Sequence, residues 1–182
     1  MAKWAIIFDS KYGTTEQYMN WLAKKIDADL YKAKNVKPEN LMGYETMIFA
    51  CGIYNDKLSI IDIIKKNISH LMFKKIIVVG VGWYSQDDFN VKMLEDYNFT
   101  PEMQGRFPLF LLKGEINLKK INPMEAMTLK MTKSRLNKKF DRSNDDIVAI
   151  SMIDGMNKYT AEENLDELVS FINEGKWKIR KQ

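Results

Sequence analysis

Short apolar runs alternate with amphipathic stretches along most of the chain, and this alternation restricts the fold more than any other feature. Trp4–Phe8 (WAIIF), Thr46–Cys51 (TMIFAC) and Lys75–Val81 (KIIVVGV) carry almost no polar side chain, as expected of strands covered on both faces. From Thr14 to Ile26, Tyr18, Trp21, Leu22 and Ile26 recur at helical spacing. Ser59 opens a second helical stretch with a capping-box spacing to Asp62, and Ile60, Ile61, Ile64, Ile68 and Leu71 supply its apolar stripe. A weaker strand is predicted at Asp29–Ala33, a helix at Asp88–Tyr97 and a fifth strand at Leu109–Leu112. Thr160 and Glu163 mark the start of a last helix with Leu165, Leu168, Val169 and Ile172 on its buried face. Strand–helix repeats of this kind predict an α/β fold with a doubly wound, five-stranded parallel sheet. The right-handed crossover rule favours the order 2-1-3-4-5.

At 182 residues the chain is long enough for one well-buried core and short for two, so a single domain over 1–182 is expected. The connection between the fifth strand and the last helix, residues 113–159, far exceeds the ~2–6 residues usual for such a link. It reads as an insertion within the domain. Asn122-Pro123-Met124-Glu125 starts a helix there, with Pro at the first position and Glu at the third, running to Phe140.

Charge is concentrated in the same place. Between Gly114 and Arg142 there are eight Lys or Arg against three acidic residues, a surplus of +5 in a chain whose net charge is +4. Met124, Met127 and Met131 share a helical face beside these lysines. They suit either an adaptable apolar contact or packing on the body of the domain. Nearby Lys and Arg would bind carboxylates or an anionic lipid surface, or else stay solvated.

One cysteine, Cys51, excludes an internal disulfide and a Cys-based zinc cluster; one histidine, His70, excludes most other zinc sites. Cys51 reads as a small buried residue and His70 as a helix-end residue. No metal site is expected, and a reducing, cytoplasmic setting is. No apolar run reaches the ~18–20 residues that span a bilayer, and the first residues do not read as a signal peptide.

In a doubly wound sheet, ligands sit beyond the carboxyl ends of the strands where strand order reverses. The loops after Phe8, Cys51 and Val81 should meet there. The first, Asp9-Ser10-Lys11-Tyr12-Gly13-Thr14-Thr15, combines hydroxyls, a glycine and a helix N-terminus, which together cradle a phosphate or simply cap the helix. No G-x-x-x-x-G-K-[ST] is present, and Ser85 stands where Gly80-Val81-Gly82 would need a third glycine for a dinucleotide fingerprint.

Ser10-Lys11-Tyr12-Gly13-Thr14-Thr15, after an apolar strand, resembles the phosphate loop of the flavodoxin family, [ST]-x-[TY]-G-x-T. Cys51-Gly52-Ile53-Tyr54 resembles the second flavin loop, and the run from Gly80 through Trp83 and Tyr84 to Phe89 the third. The resemblance implies an FMN cofactor. Its phosphate would be held by Ser10, Lys11, Tyr12, Gly13, Thr14 and Thr15. Its ring would lie between Ile53 and Tyr54 on one side and Trp83 and Tyr84 on the other, with the Gly52 and Gly82 backbone at its polar edge. A receiver domain of phosphorelay signalling shares the topology, but Cys51 occupies the place of its phospho-acceptor Asp.

Within the flavodoxin-like proteins, the long basic insertion is nearest the menaquinone-dependent protoporphyrinogen oxidase branch. That resemblance implies a flavin-dependent oxidoreductase acting on a tetrapyrrole, with a quinone as acceptor. It also implies a peripheral contact at the inner face of the membrane through the basic 119–142 segment. A non-enzymatic electron carrier with a redox partner protein and a flavin-free binding or regulatory module are the alternatives. No nucleic-acid partner is expected, and no side chain stands out as a catalytic acid or base.

Overall fold

The computed structural model describes residues 4–175. Trp4–Asp9 (β1) is a strand whose residues alternate between two cores. Ala5 and Ile7 point to one face, and Trp4, Ile6 and Phe8 to the other. Thr14–Ile26 (α1) leads back to Ala28–Lys32 (β2), which pairs in parallel with β1. A single turn of helix, Pro38–Leu41 (α2), precedes Thr46–Tyr54 (β3), parallel to β1 on its other side.

β3 runs three residues past the expected Cys51. Asn55 and Asp56 adopt left-handed φ of 50° and 64°, the geometry of a tight hairpin turn, and return the chain as Lys57–Leu58 (β4) antiparallel to β3. Ile61–Lys66 (α3) and Ile68–Leu71 (α4) then cover the sheet. The single helix expected here is broken at Asn67, whose side-chain amide donates to the Ile63 carbonyl at 2.8 Å. The expected Ser59 cap is not made either, because Ser59 Oγ instead donates to Asp9 Oδ2 at 2.5 Å.

Lys75–Gly82 (β5) is the buried centre of the sheet's second half, followed by Asp88–Asn98 (α5) and Leu109–Lys113 (β6). The strand order β2-β1-β3-β5-β6 is the predicted 2-1-3-4-5 once the short β4 is set aside. Pro123–Asn137 (α6) and Asn144–Ile153 (α7) form the insertion. α6 starts as predicted, with a capping box between Asn122 and Glu125, but it stops at Asn137 and leaves Phe140 exposed. A 3₁₀ turn, Glu162–Leu165, runs into Asp166–Glu174 (α8). Thr160 does not cap it, and its hydroxyl is buried without a partner among the described residues.

α1 and α8 cover one face through Tyr18, Leu22, Leu168 and Ile172, while α3, α4 and α5 cover the other through Ile61, Ile64, Leu71 and Leu94. Each such side chain contributes about 1.5–3 kcal/mol when withdrawn from water. Cys51 is fully buried in β3, and burial pushes its thiol up to about 12. His70 lies in the last turn of α4. Among the described residues no helix is long and apolar enough to cross a membrane.

Candidate functional site

The turn between β1 and α1 is organised by Ser10. Its Oγ accepts the N–H groups of Gly13 and Glu16, both at 3.2 Å, and the first intrahelical bond runs from Gln17 N–H to the Gly13 carbonyl at 2.9 Å. Gly13 is the N-cap at φ 102°, a conformation that a side chain would strain. The N–H groups of Thr14 and Thr15 have no acceptor among the described residues. The Thr15 hydroxyl also lacks a partner, although the residue is only 3% exposed and lines a cavity. Three unused donors thus sit at the positive end of a thirteen-residue helix.

That cavity measures about 270 Å³. Its lining draws Ser10, Lys11, Tyr12, Thr14 and Thr15 from the first loop, Gly52, Ile53 and Tyr54 from the second, and Gly82 and Trp83 from the third. Ten of the twelve expected site residues therefore meet. The other two do not line it: Gly13 acts through its backbone as the cap, and Tyr84 turns away. The Tyr84 hydroxyl donates to the Asp56 carboxylate and its ring tilts against Trp83, with centroids 5.8 Å apart. Burial, then the bond to Asp56, raises the Tyr84 phenol above its ordinary range. The expected stacking pair on the third loop thus reduces to Trp83 at this cavity.

Gly52 is demanded by close approach, since a β-carbon there would collide with the Tyr54 ring. Tyr54 and Tyr12 meet edge-on, with centroids 6.0 Å apart, and Lys11 Nζ lies 5.6 Å from the Tyr12 centroid and 6.0 Å from that of Tyr54. Burial raises the Tyr54 phenol. Lys11 is also ion-paired with Glu125 of α6.

The insertion builds the remaining wall, which the sequence did not reveal. Gly114, Glu115 and Ile116 follow β6 into the cavity, and Thr14 Oγ1 donates to the Glu115 carbonyl at 3.3 Å. Met124, Glu125, Thr128, Leu129 and Thr132 come from α6, and Met152 from α7. One available signal was Ser143-Asn144-Asp145-Asp146 before an apolar run, a capping box that forms with Ser143 and Asp146.

A second cavity of about 720 Å³ shares Asn55, Trp83, Thr128 and Thr132 with the first. Phe89, Met93 and Met131 give it apolar walls, with Arg135 and Lys139 beside them. Lys139 pairs with Asp146 at 2.8 Å, whereas Arg135 has no ion pair among the described residues. Burial opposes ionisation of Asp146, but its bonds to Lys139 and Ser143 hold the carboxyl below its ordinary range. No cluster able to hold a metal ion occurs among the described residues. The arrangement suits an anion at the α1 N-terminus and a flat apolar group extending past Gly52 and Trp83.

A flavodoxin domain model matches residues 5–143, from β1 through the whole of α6. No curated protein matches the sequence significantly. Among solved structures, the Trp repressor binding protein from Bacillus subtilis is 18% identical, covering 76% of this chain and 100% of its own at a TM-score of 0.48. A flavodoxin from the domain Archaea is 11% identical, covering 84% and 97% at a TM-score of 0.41. None of these matches singles out the protoporphyrinogen oxidase branch. The family match spans most of the chain, including all three loops at the strand ends, and the chain belongs to the flavodoxin domain family.

Proposed function

We propose that this protein binds FMN in the cavity at the strand ends and works as a flavin-dependent oxidoreductase. The observation that carries the reading is the N-terminus of α1: among the described residues two N–H groups and the cavity-lining Thr15 hydroxyl lack acceptors, which a phosphate supplies. Ser10 holds this turn in shape, and Gly52, Ile53, Tyr54, Gly82 and Trp83 form the slot for a planar ring. Bound FMN would supply hydride or single-electron chemistry. The chain's own contribution is to bind it, orient it and exclude water. The first cavity alone lies just below the about 300–1,000 Å³ of most small-molecule sites, and the second opens beside it.

An enzyme is favoured over a plain electron carrier by that adjoining cavity. Its apolar walls and Arg135, which has no ion pair among the described residues, suit a flat apolar substrate bearing an acidic group. A tetrapyrrole with propionate carboxylates, as in protoporphyrinogen oxidases, has this chemistry, and a quinone would serve as the electron acceptor. The electron-carrier reading would need a redox partner protein, reached with strong salt dependence. Exposed Met124, Met127 and Met131 next to the basic residues of α6 support a peripheral membrane contact for a cytoplasmic protein, testable by vesicle co-sedimentation.

The primary test is titration of flavin-free protein with FMN, followed by flavin absorption and fluorescence. Tight binding that Thr15→Val weakens by about tenfold, one charge-assisted bond, supports the reading. A protein that leaves the FMN spectrum unchanged overturns it and favours a flavin-free module.

A further inference from the structure

Two lysines stand beside the α1 loop, and their surroundings differ. Lys11, within the loop, is ion-paired with Glu125. Lys120 belongs to the turn that follows β6, and its Nζ lies 4.0 Å from where a β-carbon on Gly13 would stand. It has no carboxylate partner among the described residues. The nearby Glu16 is paired with Lys32 at 2.8 Å.

The turn that presents Lys120 is well defined. The Asn117 carbonyl accepts the Lys120 N–H at 2.9 Å, and Asn117 Oδ1 accepts that of Lys119 at 3.1 Å. An ammonium with no carboxylate partner among the described residues thus stands beside the positive end of a helix, where the dipole repels it. The repulsion becomes attraction if an anion lies between them. Thr15, 3% exposed and lining the cavity, adds at the same helix end a hydroxyl with no hydrogen-bond partner among the described residues.

Resting on the FMN reading, we propose that Lys120 is the cation that recognises the flavin's terminal phosphate, lent to the loop by the insertion. Lys11 then serves to tie the loop to α6. The site tells FMN from riboflavin by charge as well as by hydrogen bonds, and an ammonium on a solvent-facing turn makes that preference sensitive to salt.

The test compares the wild type with Lys120→Gln, Lys120→Arg and the neighbouring Lys119→Gln. Dissociation constants for FMN and for riboflavin are measured by flavin fluorescence at low and high ionic strength. Lys120→Gln should weaken FMN about tenfold while leaving riboflavin unchanged, which also reports an intact fold. Lys120→Arg should restore most of the loss, Lys119→Gln should change neither ligand, and the salt dependence of FMN binding should shrink in Lys120→Gln alone. Equal FMN binding by the wild type and Lys120→Gln, or parallel loss of both flavins, overturns the role of Lys120 and leaves the FMN site standing. A wild-type protein that binds neither flavin overturns both.

Discussion

Glu125 divides its carboxylate between two tasks: one oxygen pairs with Lys11 in the loop after β1, while the other accepts the Asn122 N–H at 2.9 Å at the start of α6. A helix cap and a cavity wall therefore depend on the same side chain. Glu125→Ala should lower stability by about 1 kcal/mol, mostly through the lost cap, since Lys11 is half-exposed and its ion pair is screened. Glu125→Gln keeps the cap and should lose less than half as much. Urea midpoints at constant m-value check both, and equal losses would put the main contribution in the ion pair.

Tyr18 is the hub of the opposite end of the insertion. Its hydroxyl donates to the Lys113 carbonyl at 2.6 Å and accepts from Asn164 Nδ2 at 2.6 Å and from the Ala161 N–H at 3.4 Å. Burial raises this phenol, although the bonds from Asn164 and Ala161 pull the other way. Tyr18→Phe strands half-buried polar groups without creating a cavity, so a loss of about 1–3 kcal/mol with a native circular dichroism spectrum is expected. A neutral effect would mean that water replaces the hydroxyl.

The thiol of Cys51 should resist modification at pH 8 in the folded protein and react once it unfolds, as followed with a disulfide reagent. The pH dependence has a defined sign. The folded value lies near 12 and the ordinary value near 9, so the folded state holds a proton that the unfolded state releases between those limits. The stability from this group is complete below about pH 9 and falls as pH rises towards 12. A denaturation midpoint that climbs over that interval, relative to Cys51→Ala, would contradict it.

Asp145 joins the insertion to the third loop. Its carboxylate accepts from the Ser85 N–H at 3.1 Å, from Ser85 Oγ at 2.6 Å and from the buried Asn90 side chain at 2.6 Å. Asp145→Ala should cost about 1–3 kcal/mol and speed amide exchange across α7 more than across α6. Uniform acceleration over the whole chain would instead indicate global destabilisation.

The sheet was legible because its signal is local. The runs at Trp4–Phe8 and Lys75–Val81 are covered on both faces, so almost every residue in them is apolar, and strand order followed from handedness. The hairpin at Asn55–Asp56 was missed because neither residue is glycine, and left-handed backbone in Asn and Asp leaves a faint mark. The Ser59 cap failed for a tertiary reason, its hydroxyl being drawn to Asp9. The first loop was readable from Ser10 to Thr15 as a run of neighbours. The wall facing it was not, since Glu125 and Thr128 reach the cavity only through the path of the insertion. The direction of Tyr84 was not legible because a residue after a strand end has two ways to turn, and its bond to Asp56 goes with a place in the second cavity rather than the first.

Lys113 at the start of the insertion and Ala161, two residues past its end, both bond a single phenol oxygen, that of Tyr18, at 2.6 and 3.4 Å. The segment therefore leaves the scaffold and returns to it at nearly one point, like a cassette held by a clip. A bridge of a few residues can span the gap, so the piece can be excised, lengthened or exchanged while the strands keep their register. Evolution and protein engineers thus have the same freedom: the rim over the strand ends can be recast without touching the frame beneath it.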